Sequence, residues 1–154
     1  MNHEKRPMKI DRISFQLGMI NCFAEMVACG VKRLALSPPL TPEDYEMIRQ
    51  ASDDIVNGFG IKSYLEKSLL ITNLQSEDFT RGKWSILYYK REDVLKEYLD
   101  LKKKKIQLEK AGQYDADAGR EISRAFMKLL SYSEEKIEEK LSGKSSDPFM
   151  LIDI

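Results

Sequence analysis

KWSILYYKREDVLKEYLDLKKKK, residues 83–105, decides how the rest of the chain is read. Trp84-Ser85-Ile86-Leu87-Tyr88-Tyr89 gathers aromatic and branched residues at a density that predicts a buried strand. Lys90-Arg91-Glu92-Asp93 then turns the chain into a helix whose Val94, Leu95, Tyr98, Leu99 and Leu101 recur on one side, and which runs into Lys102-Lys103-Lys104-Lys105. A strand feeding a helix is an architectural signal and carries no chemistry of its own.

Downstream, Ala111-Gly112 closes that helix and Gln113-Tyr114-Asp115 leads into another, with Ala118, Ile122, Ala125, Phe126, Leu129 and Leu130 as its inward stripe. So short a connector predicts an antiparallel helical pair over residues 91–141. Ile137 and Leu141 nearly continue the stripe, while Ser131 with Glu134 fits a capping box, so the chain either breaks there or runs on as one helix. Gly143-Lys144-Ser145-Ser146-Asp147-Pro148 reads as a linker. Phe149-Met150-Leu151-Ile152-Asp153-Ile154 is an apolar tail that needs a cover.

Upstream, residues 61–65 and 69–72 fit two short strands around a turn, residues 76–79 one helical turn, and Val31-Lys32-Arg33-Leu34-Ala35-Leu36 a further strand. Between them Thr41 is an N-cap, Pro42 suits the first helical position, and Glu43 and Asp44 complement the positive end of the dipole. Asn57-Gly58-Phe59-Gly60 ends that helix. Before it, Ile13, Leu17, Ile20, Ala24, Val27 and Val31 mark one face of a first helix, and Phe15, Met19, Cys22, Phe23 and Met26 cover much of the remainder. A helix this apolar calls for cover on several sides, by a sheet, by other helices or by a second copy of the chain.

The pattern predicts an α+β or α/β fold: helix-rich, with a small sheet of three to four short strands packed on a buried N-terminal helix, and a C-terminal antiparallel helical pair. Residues 1–8 read as a flexible N-terminus, 9–142 as a single domain, and 143–154 as linker and tail. The length of 154 residues is enough to bury a core without metals or disulfides.

The 25 Lys and Arg balance the 25 Asp and Glu, so no overall field draws the protein to nucleic acid or an anionic membrane, and any polyanion binding must be local. Residues 13–31 are long enough to raise the question of a membrane span, but Gln16, Asn21 and Glu25 interrupt them at a cost a lone span would not bear. Nothing at the start resembles a signal peptide, and two cysteines make no disulfide framework. A reduced, cytoplasmic setting is the expectation.

His3 is the only histidine, which removes imidazole-centred catalysis from the folded part. Neither Gly-rich phosphate motif occurs. Cys22, Glu25 and Cys29 share one side of the first helix, yet without a CxxC pair or a structured histidine they fall short of a metal set. No catalytic residue, metal or cofactor is expected.

Adhesion is therefore the leading expectation: a non-catalytic interaction or regulatory module acting as a homo-oligomer, with the helical pair or the tail as its contact with itself or another protein. The alternative is a small-molecule-binding protein or enzyme with a pocket near Glu25 and residues 37–44 and 78–84, among them Ser37, Asp44 and Asp78, and with Arg81, Lys83 and Trp84 as ligand-binding residues. Arg81, Lys83, Trp84, Lys90 and Arg91 also mix basic and aromatic character as single-strand nucleic-acid surfaces do. Glu92, Asp93, Glu97, Asp100 and Glu109 on the same helix argue against that use.

Overall fold

The computed structural model describes residues 8–72 and 80–143. In chain order these form α1 (Arg12–Ala28), β1 (Leu34–Leu36), α2 (Pro42–Phe59), β2 (Lys62–Glu66), β3 (Ser85–Tyr89), α3 (Glu92–Lys110), α4 (Ala116–Leu129) and α5 (Glu134–Leu141). The flexible N-terminus, the helical turn at 76–79, and the linker and tail fall, but for Met8 and Gly143, outside the described residues.

The sheet order is β1-β3-β2, with β3 antiparallel to both neighbours. β1 and β2 thus run the same way, α2 crosses from one to the other, and β3 is inserted between them. Every residue of β3 is buried, as a strand covered on both faces requires. Alternation does the sorting: Ile86 and Tyr88 join Ala35 beneath Ile20, Ala24 and Val27 of α1 and Ile48 and Val56 of α2. Leu87 and Tyr89 join Leu34 above Val94 and Tyr98 of α3 and Ile122 and Phe126 of α4. The result is an α+β fold in three layers, a helical pair on each face of a small antiparallel sheet. Each fully shielded aliphatic side chain such as Ile20, Leu34, Ile48 or Leu87 contributes ~1.5–3 kcal/mol of burial.

Local chemistry sets the boundaries. Asp11 caps α1 by accepting from the Ser14 amide, and Thr41 caps α2 by accepting from the Asp44 amide. Arg12 donates to the buried Asp44 carboxylate at 2.8 Å, tying the two helix starts together. Ser37 stands where β1 gives way to two prolines: its amide donates to the Ile86 carbonyl, and its hydroxyl oxygen accepts from the Ile86 amide at 2.8 Å. Three residues after Ser37 the chain rejoins the sheet through paired bonds between Leu40 and Trp84.

Three expectations are corrected. Residues 69–72 are not a strand: Leu69 and Leu70 are buried under α3, but the Leu70 amide donates to the Tyr98 hydroxyl and the Ile71 carbonyl accepts from Lys105, so side chains replace a ladder. The cap of α5 is Ser133, not Ser131, and the chain breaks at Ser131, whose φ is 69°. Among the described residues the first helix is covered mainly by the sheet and α2, leaving Asn21, Cys22, Glu25, Met26 and Cys29 exposed.

Candidate functional site

Lys-Arg occurs at 32–33 and again at 90–91, one pair just before β1 and the other just after β3. Because β1 and β3 are antiparallel with Leu34 opposite Tyr89, both pairs arrive at the same end of the sheet. Gly30, in a left-handed turn with φ 79° that an L side chain would strain, swings the chain from α1 into the first pair. The four basic residues, with Val27, Gly30, Asp93 and Val94, line a cleft of about 210 Å³.

The four cations are held differently. Arg33 donates to Glu97 at 2.8 Å, and Arg91 grips Asp93 through two nitrogens at 3.1 and 3.0 Å. Lys32 and Lys90 have backbone carbonyls instead: Lys32 donates to Leu130 at 3.0 Å, where α4 ends, and Lys90 to Ala28 at 3.4 Å, where α1 ends. The negative ends of two helix dipoles thus hold these ammonium groups without cancelling a full charge. Four cations against Asp93 and Glu97 leave two positive charges in excess at the cleft. Burial draws the Lys32 ammonium below its ordinary value of 10.5, since a desolvated cation gives up its proton more readily. The Tyr132 ring centroid lies 5.7 Å from this nitrogen.

The first turn of α3 opens on the same cleft. Its N-cap is Arg91, which makes no side-chain cap, so the positive end of this helix adds to the field. Glu92 and Asp93 do not oppose an anion as a free acidic turn would, because Lys62 holds the first at 2.7 Å and Arg91 the second.

No family model, curated protein or solved structure matches the chain.

The residues singled out in the sequence lie elsewhere. Glu25 is exposed on the outer side of α1 and makes no hydrogen bond or ion pair with Arg81, Lys83 or Trp84. Cys22 and Cys29 are free, exposed thiols, and no metal-binding group occurs among the described residues. Trp84 pairs with Leu40, meets the edge of Tyr45 at 5.6 Å and carries the Lys67 ammonium 4.6 Å above its ring. Arg81 and Lys83 beside it are already engaged. In the 37–44 loop, Ser37 and Asp44 are spent on Ile86 and Arg12. Asp78 lies outside the described residues.

The four-lysine run divides its labour. Lys102 meets the buried Glu66 carboxylate and Lys105 the Ile71 carbonyl, while Lys103 and Lys104 are exposed. The signal for the basic cleft was present as two identical dipeptides, one inside the strand predicted over 31–36 and one just after the Trp84–Tyr89 strand. Only the strand order, which places β1 beside β3, makes them neighbours.

Proposed function

We propose that this chain is a non-catalytic binding protein whose cleft at the sheet end takes a small anionic group, such as a phosphate or carboxylate, presented by a ligand or by a partner protein. The excess of two positive charges at Lys32 and Lys90, where only carbonyl oxygens answer them, is the observation that carries this reading. The volume sets the scale: about 210 Å³ is below the ~300–1,000 Å³ of pockets that swallow whole cofactors, so a charged group fits and a nucleotide does not fit entire.

Titration with inorganic pyrophosphate by calorimetry tests it. Binding should weaken as salt rises and fall about tenfold or more in Lys90→Glu, the equivalent of ~1.4 kcal/mol. Equal affinity in the variant, or no heat at millimolar pyrophosphate, would overturn the reading.

Self-association is a second reading, supported by Leu99 and Ile106, which are exposed seven residues apart on α3 and so share one side of it. Light scattering on the eluting protein tests this, and a mass of 17.8 kDa at all concentrations would end it. Among the described residues no helix is long and apolar enough to cross a membrane. The two free thiols fit a reducing compartment, the cytoplasm.

A further inference from the structure

Lys32 is the one amine in the cleft that is half-buried, and no carboxylate lies within ion-pair distance of it among the described residues. Its nitrogen touches the Leu130 carbonyl and the face of Tyr132. Lys90, the other amine lining the cleft, is exposed at the rim.

We propose that Lys32 is a covalent modification site that forms an imine with an aldehyde or ketone carrying an anionic group. This rests on the anion-binding reading of the same cleft: Lys90 and the uncapped start of α3 hold the anion while the carbonyl carbon approaches Lys32.

The chemistry balances without any further reagent. The Lys32 ammonium first releases a proton to solvent, a step its partial burial favours. The nitrogen lone pair then forms a bond to the carbonyl carbon, the C=O π pair moves to oxygen, and that oxygen takes up a proton. The carbinolamine so formed loses water, leaving the C=N bond. Positioning adds to the intrinsic reactivity, because an anion docked a few ångströms away raises the effective concentration of its own carbonyl. Exposed lysines such as Lys96, Lys103 and Lys104 have neither advantage.

The test uses the full chain with pyridoxal 5′-phosphate as an anionic aldehyde probe and sodium borohydride as the hydride donor that reduces the imine to a stable secondary amine. Peptide mass analysis locates the adduct. The expected result is label concentrated at Lys32, at least tenfold above any exposed lysine, reduced by excess pyrophosphate, and at least tenfold weaker with pyridoxal, which lacks the phosphate. Lys32→Arg keeps the charge but has no primary amine, so the adduct at position 32 should be lost.

Label spread evenly over surface lysines, or centred on Lys90, would overturn the proposal even where pyrophosphate binds, and the cleft reading would then stand without it. Label at Lys32 that pyrophosphate does not reduce and pyridoxal matches would overturn both. Labelling is read on the unaltered chain, so a poorly folding Lys32→Arg leaves the outcome decided.

Discussion

Glu66 takes the Lys102 ammonium on both carboxylate oxygens, 2.9 Å from each, between the end of β2 and the middle of α3. The same carboxylate accepts from the Tyr98 hydroxyl at 2.8 Å and from the Ser68 amide at 2.9 Å, and Tyr98 in turn accepts from the Leu70 amide. One acidic side chain at the end of β2 thereby fastens residues 67–70 beneath α3, where the chain has left the sheet.

Breaking this pair should cost more than the pair itself contributes. A buried charge left without its partner costs ~3–5 kcal/mol, and Glu66 is 4% exposed, so Lys102→Met should be strongly destabilising. Glu66→Gln should cost less, because it keeps the shape and part of the hydrogen bonding. The double variant should recover part of the Lys102→Met loss. Urea denaturation of all four proteins gives the coupling directly, and strictly additive losses would show that the two groups do not sense each other.

The layers were legible in the residues because burial and periodicity are local properties. Five apolar or aromatic residues in the six from Trp84 to Tyr89 can only be a strand covered on both faces, and Thr41-Pro42-Glu43-Asp44 states a helix start in four letters. Glu66 and Lys102 were not legible, since nothing in a solitary glutamate says that a lysine 36 positions away will neutralise it. The cleft was hidden for the same reason. Lys32-Arg33 reads as the start of a strand and Lys90-Arg91 as a turn until β3, late in sequence, inserts beside β1. Glu25 misled in the opposite direction: surrounded by apolar letters it reads as a buried acid, but a helix covered from two sides has a third side, and Glu25 is on it.

Alkaline instability should follow from two hydroxyls. Burial is the main cause raising both Tyr88, which shares a 2.9 Å hydrogen bond with Ser52, and Tyr98 well above the ordinary value of 10.0. Between pH 10 and those raised values the unfolded chain sheds these protons while the folded chain keeps them. Their contribution is therefore complete below about pH 10 and lost as pH rises, by up to ~1.4 kcal/mol per pH unit for each group. Thermal melts followed upward from neutral pH, with tyrosinate absorbance as a second probe, should show that slope. Tyr98→Phe should be less stable at neutral pH and decline less steeply above pH 10, and an unchanged slope would count against the assignment.

The turn that supports the cleft carries a measurable strain. Ser131 adopts φ 69° without being glycine, while its hydroxyl accepts from the Arg33 amide at 2.9 Å. Left-handed backbone costs a non-glycine residue ~1–2 kcal/mol, and a hydrogen bond of this kind returns ~0.5–1.5 kcal/mol. Ser131→Gly removes both terms, so stability should change by less than about 1 kcal/mol. Ser131→Ala keeps the strain and loses the bond, so it should fall below Ser131→Gly. If alanine proved the more stable of the two, the left-handed turn would not be the controlling feature.

Ser37 makes the sharpest demand on a single oxygen atom. Pro38 and Pro39 follow the end of β1 where the central strand still needs a partner, and neither proline can donate a ladder hydrogen bond. The Ile86 amide, inside a strand buried throughout, is left to the Ser37 hydroxyl oxygen at 2.8 Å, while that hydroxyl donates to the Pro38 carbonyl at 2.9 Å. Ser37→Ala deletes this acceptor and strands a buried donor, which costs ~1–3 kcal/mol, more than the ordinary surface substitution would. Ser37→Thr keeps the oxygen and should avoid much of that loss. Hydrogen exchange supplies the specific readout: the Ile86 amide should exchange faster in Ser37→Ala by a larger factor than the Tyr88 amide two residues on. Equal acceleration of the two would mean that the whole strand has loosened and that Ser37 is not the acceptor Ile86 depends on.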